Sequence, residues 1–193
     1  MLAKDIDHFF ECLDKELHAP TRVILIGGAA ATLYGSKRPT EDIDFELQTS
    51  EPEDQLAKAI LAAEMASGIK AQYSTDIDHW GMISLGDYRK HTRPYKKIGK
   101  ITVELLQPEY WSIGKVSRYY DSDVEDMVLV FKRQKTDPNH LLAVWQEALK
   151  YSPVSNALFL FKQQVAQFFR QHGRGIWGAK VPLLNPFEAP KKS

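Results

Sequence analysis

The sequence predicts an α/β fold with a mixed sheet, followed by a helical module. Two observations lead to this expectation. Strand-like segments alternate with amphipathic segments as far as residue 106, whereas from Pro108 onward the apolar residues follow helical periodicity. We therefore expect a core over 1–110, a C-terminal helical module over 111–175 and an extended tail over 176–193.

The N-terminal half alternates between helices and strands at short intervals. Apolar residues at three-to-four spacing predict a helix over 5–18, and a β-branched run at 22–26 predicts a buried strand. A short helix over 29–34 precedes 42–47, where acidic and apolar residues alternate with the period of a strand. The remaining predictions here are a helix over 52–66 and strands near 72–73, at 81–84 and at 101–106.

The C-terminal half keeps helical periodicity until glycine and proline become frequent near its end. Helices are predicted over 108–119, 122–133, 137–150 and 155–172. The stretch from Gly173 to Ser193 contains three glycines and three prolines, which predicts an extended arm.

Composition excludes several classes of protein. The 193 residues include 25 basic and 25 acidic side chains, so the formal net charge is zero and wholesale wrapping of nucleic acid is not expected. The single cysteine, Cys12, excludes a disulfide framework and a cysteine-based zinc cluster. No apolar run approaches the roughly 18 residues of a membrane span, and the N-terminus lacks the pattern of a secretory signal. We therefore expect a cytoplasmic protein that does not bind membranes.

Paired acids on one predicted strand are the strongest chemical signal. The tripeptide Asp-Ile-Asp occurs at 5–7, 42–44 and 76–78, but only Asp42 and Asp44 lie on a strand and therefore project to the same side, about 7 Å apart. Two such carboxylates form half of a site for a hard cation such as Mg²⁺. Glu104, on another predicted strand, is the candidate third ligand. The alternative is that these acids, with Glu46, form the solvated face of an edge sheet.

A glycine pair lies directly upstream of the acids. Gly27-Gly28 leaves the predicted strand 22–26, where glycine allows the backbone to approach a phosphate group closely. Arg38, in the loop before the acids, is a candidate phosphate contact, with capping or a surface ion pair as the alternative.

These segments resemble the signature of a known superfamily. Ile26-Gly27-Gly28-Ala29, followed by Arg38-Pro39-Thr40-Glu41-Asp42-Ile43-Asp44, resembles the nucleotidyltransferase superfamily with the polymerase-β-like palm. Within this superfamily, the motif Arg-x-Thr-x-Asp-Ile-Asp is similar to that of the AbiEii-type branch. This branch includes toxins of abortive-infection and toxin–antitoxin systems and many uncharacterised bacterial relatives. Lys115-Val116-Ser117-Arg118 and Asp123-Val124-Glu125-Asp126 match a helical motif of that branch, so the resemblance covers about residues 22–130 in three blocks.

The resemblance implies transfer of a nucleoside monophosphate from a nucleoside triphosphate, such as ATP, to an acceptor hydroxyl, with Mg²⁺ or Mn²⁺ as cofactor. It implies that Asp42 and Asp44 hold the metal ions and that Glu104 stands at the third carboxylate position, where many relatives have Asp. Gly27 and Gly28 would cradle the triphosphate.

The helical motif carries implied roles as well. Lys115 would neutralise phosphate charge, and Arg118 would add a nucleotide contact. Asp126 would position a substrate or orient Lys115, while Asp121 offers a competing register for the acid assigned to Asp123.

The sequence leaves alternatives open for the further partners and for the function. A basic segment with interleaved Tyr88 and Tyr95 predicts an RNA-binding or phosphate-binding loop, with a solvated hairpin as the alternative. The acceptor would be the end of a tRNA or another RNA, a protein side chain or a small molecule, and an antitoxin is a possible protein partner. The alternative functions are a catalytically silent nucleotide-binding or partner-binding module and a metal-dependent phosphohydrolase. The basic residues of the predicted RNA-binding or phosphate-binding loop are Arg89, Lys90, Arg93, Lys96, Lys97 and Lys100.

Overall fold

The computed structural model describes residues 1–181, with the side chains of Trp80 and Lys180 excepted. The described chain divides into two units. The first comprises Met1–Ile77 and Tyr88–Gln107, and the second comprises Asp78–Asp87 and the chain from Pro108 onward. The strands and the C-terminal helices thus fall in different units, but a segment from the middle of the α/β half joins the helical unit.

The first unit contains a five-stranded mixed sheet with the strand order β3-β2-β1-β5-β4. Strand β1 is antiparallel to β2 and parallel to β5, β2 is parallel to β3, and β4 is antiparallel to β5. The expected mixed sheet is confirmed, and its combination with helices is an α+β arrangement that is compatible with the predicted α/β class. The elements are α1 (Ala3–Glu16), β1 (Thr21–Leu25), α2 (Gly27–Leu33), β2 (Asp42–Thr49), α3 (Glu53–Ser67), β3 (Lys70–Ser74), a 3₁₀ turn (Tyr88–Lys90), β4 (Thr92–Ile98) and β5 (Ile101–Leu106).

An aromatic cluster fixes which face of β2 is buried. Phe9 and Phe10 on α1 are fully buried, and their ring centroids lie 6.0 and 5.5 Å from that of Phe45 on β2. Because side chains alternate along a strand, burial of Phe45 directs Asp44 to the opposite face of the sheet.

One predicted strand is wrong, and one observed strand was not predicted. Residues 81–84 form bends and a loop, whereas Thr92–Ile98 forms β4, the first strand of a hairpin with β5. Strand β4 lacks an apolar alternation because it lies at the sheet edge, where lysine and proline are typical and discourage further pairing. The basic segment thus has the backbone of a hairpin, which was the alternative to an RNA-binding loop.

The second unit is helical apart from its loops. Trp145 lies at its centre, fully buried, with ring contacts to Phe131, Phe161 and Phe168. Its elements are a 3₁₀ turn (Ile77–Trp80) that begins at the last residue of the first unit's opening segment, α4 (Pro108–Arg118), α5 (Asp121–Gln134), α6 (Pro138–Tyr151), α7 (Asn156–Phe168), a π-helical turn (Phe169–Gly173), α8 (Arg174–Trp177) and a 3₁₀ turn (Gly178–Lys180).

The structure corrects the expected start of the tail. The chain is helical from Gly173 to Lys180, because the ring of Trp177 stacks on Phe131 and Phe169 and holds this segment against the core of the unit. The rest of the expected extended tail, 182–193, lies outside the described residues. None of the helices within residues 1–181 combines the length and apolar character that crossing a lipid bilayer requires.

Candidate active site

Asp42 and Asp44 lie at the start of β2, on the face of the sheet opposite the aromatic cluster. Both side chains are half-buried, whereas Ile43 and Phe45 between and beyond them are buried. The chain enters β2 next to the end of β1, since the N–H of Ile26 donates to the carbonyl of Asp44 at 3.0 Å. The two carboxylates therefore share a partly accessible face beside the glycine turn.

The glycine pair is required by its closest neighbours. A Cβ built on Gly27 would lie 1.9 Å from Oδ2 of Asp44, and a Cβ on Gly28 would lie 2.5 Å from Oγ1 of Thr40. Gly27 also has a φ of +57°, in the left-handed region that disfavours residues with a Cβ. Three blocks of the sequence motif, the glycines, Thr40 and the acids, thus meet in one place.

Gln72 is a residue of this site that sequence reasoning missed. Strand β3 runs parallel to β2 with Gln72 opposite Asp44, and the side-chain amide of Gln72 donates to Oδ2 of Asp42 at 2.9 Å. Nothing local in the sequence signals this contact, because it depends on the register between two strands that are separated by α3.

The structure does not bring Glu104 together with the two aspartates. On β5, Glu104 lies opposite Ile24 of β1, which in turn lies opposite Glu46 rather than Asp42 or Asp44. Its Oε2 accepts hydrogen bonds from Arg22 Nη2 at 2.7 Å and Nε at 3.1 Å. Burial alone would raise the pKa of Glu104, but the hydrogen bonds from Arg22 and Thr92 outweigh this effect and hold the pKa below its ordinary value.

A metal site here would therefore use two protein carboxylates. Among the described residues, no group of three or more His, Cys, Asp or Glu side chains is placed to hold one metal ion. Mg²⁺ is commonly held by one or two carboxylates together with substrate phosphates and water, and the oxygen donors of Asp42 and Asp44 suit such a hard cation. Mn²⁺ accepts the same donor set.

Glu46 does not belong to a solvated acidic face. Its side chain is 0% exposed, and β2 is an inner strand of the sheet. The carboxylate accepts hydrogen bonds from the hydroxyl of Tyr88, from Nε of Arg89 at 2.7 Å and from the N–H of Ile77 at 3.3 Å. The solvated-face alternative is thus wrong for Glu46, which the sequence could not reveal because its partners lie far along the chain.

The basic segment is partly neutralised within its own unit. Arg89 pairs with Glu46 at 2.7 Å, and its guanidinium also lies 3.7 Å from Asp76. Lys96 forms an ion pair with Asp7 at 2.7 Å. Arg89 and Lys96 therefore already have acidic partners, whereas the expected contact of this segment with RNA stays a prediction. The other residues of that prediction lie on the 3₁₀ turn (Lys90), on β4 (Arg93 and Lys97) and in the following turn (Lys100).

The helical motif forms a buried ion-pair cluster in the second unit. Lys115 on α4 is 2% exposed, and its Nζ lies 2.8 Å from Asp123 and 2.9 Å from Asp126, both on α5. Arg118 donates to both oxygens of Asp123, at 3.2 and 3.0 Å. Lys115 thus contacts Asp123 and Asp126 on α5, whereas the roles that the resemblance implies for these residues stay predictions.

Burial alone would raise the pKa of Asp123, but hydrogen bonds from Arg118 and Lys115, with their positive charges, outweigh it, and the pKa lies below the ordinary value of 3.8. The cluster thus keeps Asp123 charged inside the unit.

Arg38 belongs to the first unit, in the loop between α2 and β2, where its backbone N–H donates to Oγ of Ser36 at 3.2 Å.

Comparison of the chain with family models, with curated proteins and with solved structures gives no match. What the chain does must therefore be inferred from its own residues. The meeting of Asp42, Asp44 and the glycine turn is the arrangement with the clearest chemical use, because it places two carboxylates that suit a hard cation beside a turn that must be glycine.

Proposed function

We propose that the chain is a Mg²⁺-dependent nucleotidyltransferase that moves a nucleoside monophosphate from a nucleoside triphosphate to an acceptor hydroxyl. The observation that carries this proposal is the position of Asp44 over Gly27, with Asp42 on the same strand face. The resemblance of the motif to the nucleotidyltransferase superfamily supports it. The acceptors that this chemistry allows are an RNA such as tRNA, a protein side chain or a small molecule, as in toxins of toxin–antitoxin systems.

Each residue of the Asp42–Asp44 site has a separate role in the proposed reaction. Asp42 and Asp44 would hold the metal, and Gln72 fixes the orientation of Asp42 through its amide. A bound Mg²⁺ would lower the pKa of an attacking hydroxyl and would offset negative charge on the triphosphate. The turn at Gly27 and Gly28 has no side chains of its own, so the carboxylate of Asp44 lies directly over its backbone, where it would hold the metal next to the bound triphosphate. The acceptor hydroxyl would attack the α-phosphorus in line, lose its proton and displace pyrophosphate as the bond between the α- and β-phosphates breaks, a step that needs correct positioning of the two substrates.

A catalytically silent module of the same fold is the second candidate. The observation that favours it is the ion pair between Arg22 and Glu104, which leaves two rather than three carboxylates for metal among the residues that the structure describes. Such a module would still bind a nucleotide or a protein partner.

Label transfer tests the proposal directly. The purified chain is incubated with each α-³²P-labelled nucleoside triphosphate, Mg²⁺ and a bacterial extract containing RNA and protein, and covalently attached label is measured. We expect transfer by the wild type and a loss of at least about 100-fold in Asp42→Asn and Asp44→Asn, the size typical of removing one transition-state contact. Glu41→Gln, an exposed acid next to the site, is the matched control and should transfer normally.

Each other outcome has a definite meaning. Labelled monophosphate released without attachment would indicate a phosphohydrolase. Tight binding of the triphosphate without transfer to any acceptor would favour the silent module. Full activity in both Asn variants, with circular dichroism showing a native fold, would remove the two carboxylates from the reaction.

A further inference from the structure

The second unit contains a cavity of about 390 Å³ to which the proposed reaction gives no role. Its walls are one face of α6, the facing part of α4 and the loop 84–87. This volume lies within the range of roughly 300–1,000 Å³ that small-molecule sites occupy in proteins. The cavity therefore has the size of a binding site for a compact organic ligand.

The lining combines aromatic, aliphatic and acidic groups. Tyr110 of α4 and Tyr151 of α6 contribute rings, while Ile113 and Val144 form an apolar wall. Asp87 and Glu147 are exposed and add two carboxylates, and no basic side chain is found among the described residues that line the cavity. An anionic ligand would be repelled here, whereas a cation would be attracted.

The environment of Tyr110 shows the same negative potential. Its side chain is buried, and burial together with the negative charges of Asp87, Glu147 and Glu109 raises the pKa of its hydroxyl to about 12. The hydroxyl of Tyr110 therefore lies close enough to these carboxylates for their negative charge to raise its pKa. A bound ammonium group would offset this negative potential.

The loop side of the cavity is held in place before any ligand binds. Asp78 accepts hydrogen bonds from Oγ of Ser84 at 3.0 Å and from the N–H of Leu85. The N–H of Ser84 donates to Oγ of Ser152 at 2.8 Å, and Ser152 in turn donates to the carbonyl of Ala148 on α6. Because these contacts tie the loop to the end of α6, little ordering of the wall is needed on binding.

We propose that this cavity binds a small organic cation, an amine with an aromatic or aliphatic body. The body lies against the aliphatic wall and the tyrosine rings, and the ammonium group faces Asp87 and Glu147. Aromatic rings attract a cation placed over their faces, so the tyrosines and the carboxylates favour the same ligand. The proposal does not depend on the nucleotidyltransferase reaction, because every residue in it belongs to the second unit and none is assigned a role in that reaction.

The test compares three probes that share an indole ring. Tryptamine carries a positive charge, N-acetyltryptamine is neutral and indole-3-propionate is negative. Binding to the full chain is followed by the amide chemical shifts of Ser84, Gly86 and Ala148. We expect tryptamine to shift these three amides, N-acetyltryptamine to bind at least about tenfold more weakly and indole-3-propionate more weakly still.

Variants of Glu147 test whether its carboxylate contributes to the affinity for tryptamine. Glu147 is exposed, so Glu147→Gln should fold normally and weaken tryptamine binding about fivefold, and Glu147→Lys should weaken it further. Glu125→Gln, an exposed acid on α5 outside the cavity, is the matched control and should bind as the wild type does. Circular dichroism verifies the fold of each variant.

Three results would overturn the proposal. One is equal affinity for tryptamine and N-acetyltryptamine, which would show that the charge is not recognised. Another is an equal loss in Glu125→Gln and Glu147→Gln. The third is the absence of shifts in the three cavity amides at about 10 mM tryptamine.

Discussion

The carboxylate of Asp44 occupies the space that a side chain at Gly27 would need, since a Cβ built on Gly27 would lie 1.9 Å from Oδ2 of Asp44. The same glycine has a φ of +57°. Two separate requirements, close contact and backbone conformation, thus make glycine necessary at this position. The contact also means that a change at Gly27 acts on one of the two proposed metal ligands.

Gly27→Ala should therefore lower the free energy of unfolding by about 1–3 kcal/mol, because the left-handed conformation is strained and Asp44 must move. Mn²⁺ binding, followed by electron paramagnetic resonance, should weaken as well. Gly114→Ala is the matched control: Gly114 lies within α4, a Cβ added there would meet nothing within 4 Å, and alanine should raise stability by about 0.5–1 kcal/mol. Unchanged urea unfolding and Mn²⁺ affinity in Gly27→Ala would contradict this account.

Gln72→Ala should weaken Mn²⁺ binding about tenfold, because the hydrogen bond that orients Asp42 is lost while the carboxylate itself is retained. The same titration by electron paramagnetic resonance measures the effect. Since Gln72 is exposed, the free energy of unfolding should change by less than about 0.5 kcal/mol. Gln55→Ala, an exposed glutamine on α3, controls for loss of a surface amide. Equal Mn²⁺ affinity in the two variants would show that Gln72 does not position Asp42.

Glu104→Gln separates a structural role from a metal-binding role. We expect a loss of about 1–2 kcal/mol in the free energy of unfolding at pH 7, since the charge partner of Arg22 is removed from a partly buried site. Affinity for Mn²⁺ should change less than about threefold, in contrast to Asp42→Asn. The loss should shrink in acid, because a lowered carboxyl pKa stabilises the fold above the ordinary value of 4.5 and this contribution disappears as the pH falls through the folded-state pKa. A large loss of Mn²⁺ affinity would restore Glu104 as a ligand.

Asp123→Asn should be strongly destabilising at pH 7, by about 3 kcal/mol, because it removes one of two buried carboxylates that face Lys115. The pKa of Asp123 is lowered in the folded state, so its contribution is complete above 3.8 and is lost as the pH falls through the folded-state pKa. Urea unfolding of wild type and variant between about pH 7 and pH 2 should therefore converge at the acid end. Asp121→Asn, an exposed acid on the same helix, should have little effect. A difference that is constant with pH would rule out the charge as the cause.

Local sequence determined most of the backbone. The periodicities that define α1, β1, β2, β5 and the four long helices of the second unit follow directly from which residues must be buried. The sequence also predicts that the glycine pair and the two aspartates share a site, and the close approach of Asp44 to Gly27 agrees with that placement, whereas their role in a reaction stays a prediction.

Tertiary structure decided which partners each acid contacts. Asp42, Asp44, Glu46 and Glu104 are all acidic side chains on predicted strands, yet Glu46 is buried against Tyr88 and Arg89, and Glu104 is paired with Arg22. Strand order and register set these partners, and both depend on contacts between distant segments. An edge strand such as β4 escapes detection for the same reason, since its pairing with β5 rather than burial of its side chains makes it a strand. The residue type determines the chemistry that each position offers, but the neighbours that determine its charge state and accessibility are set only when the chain packs.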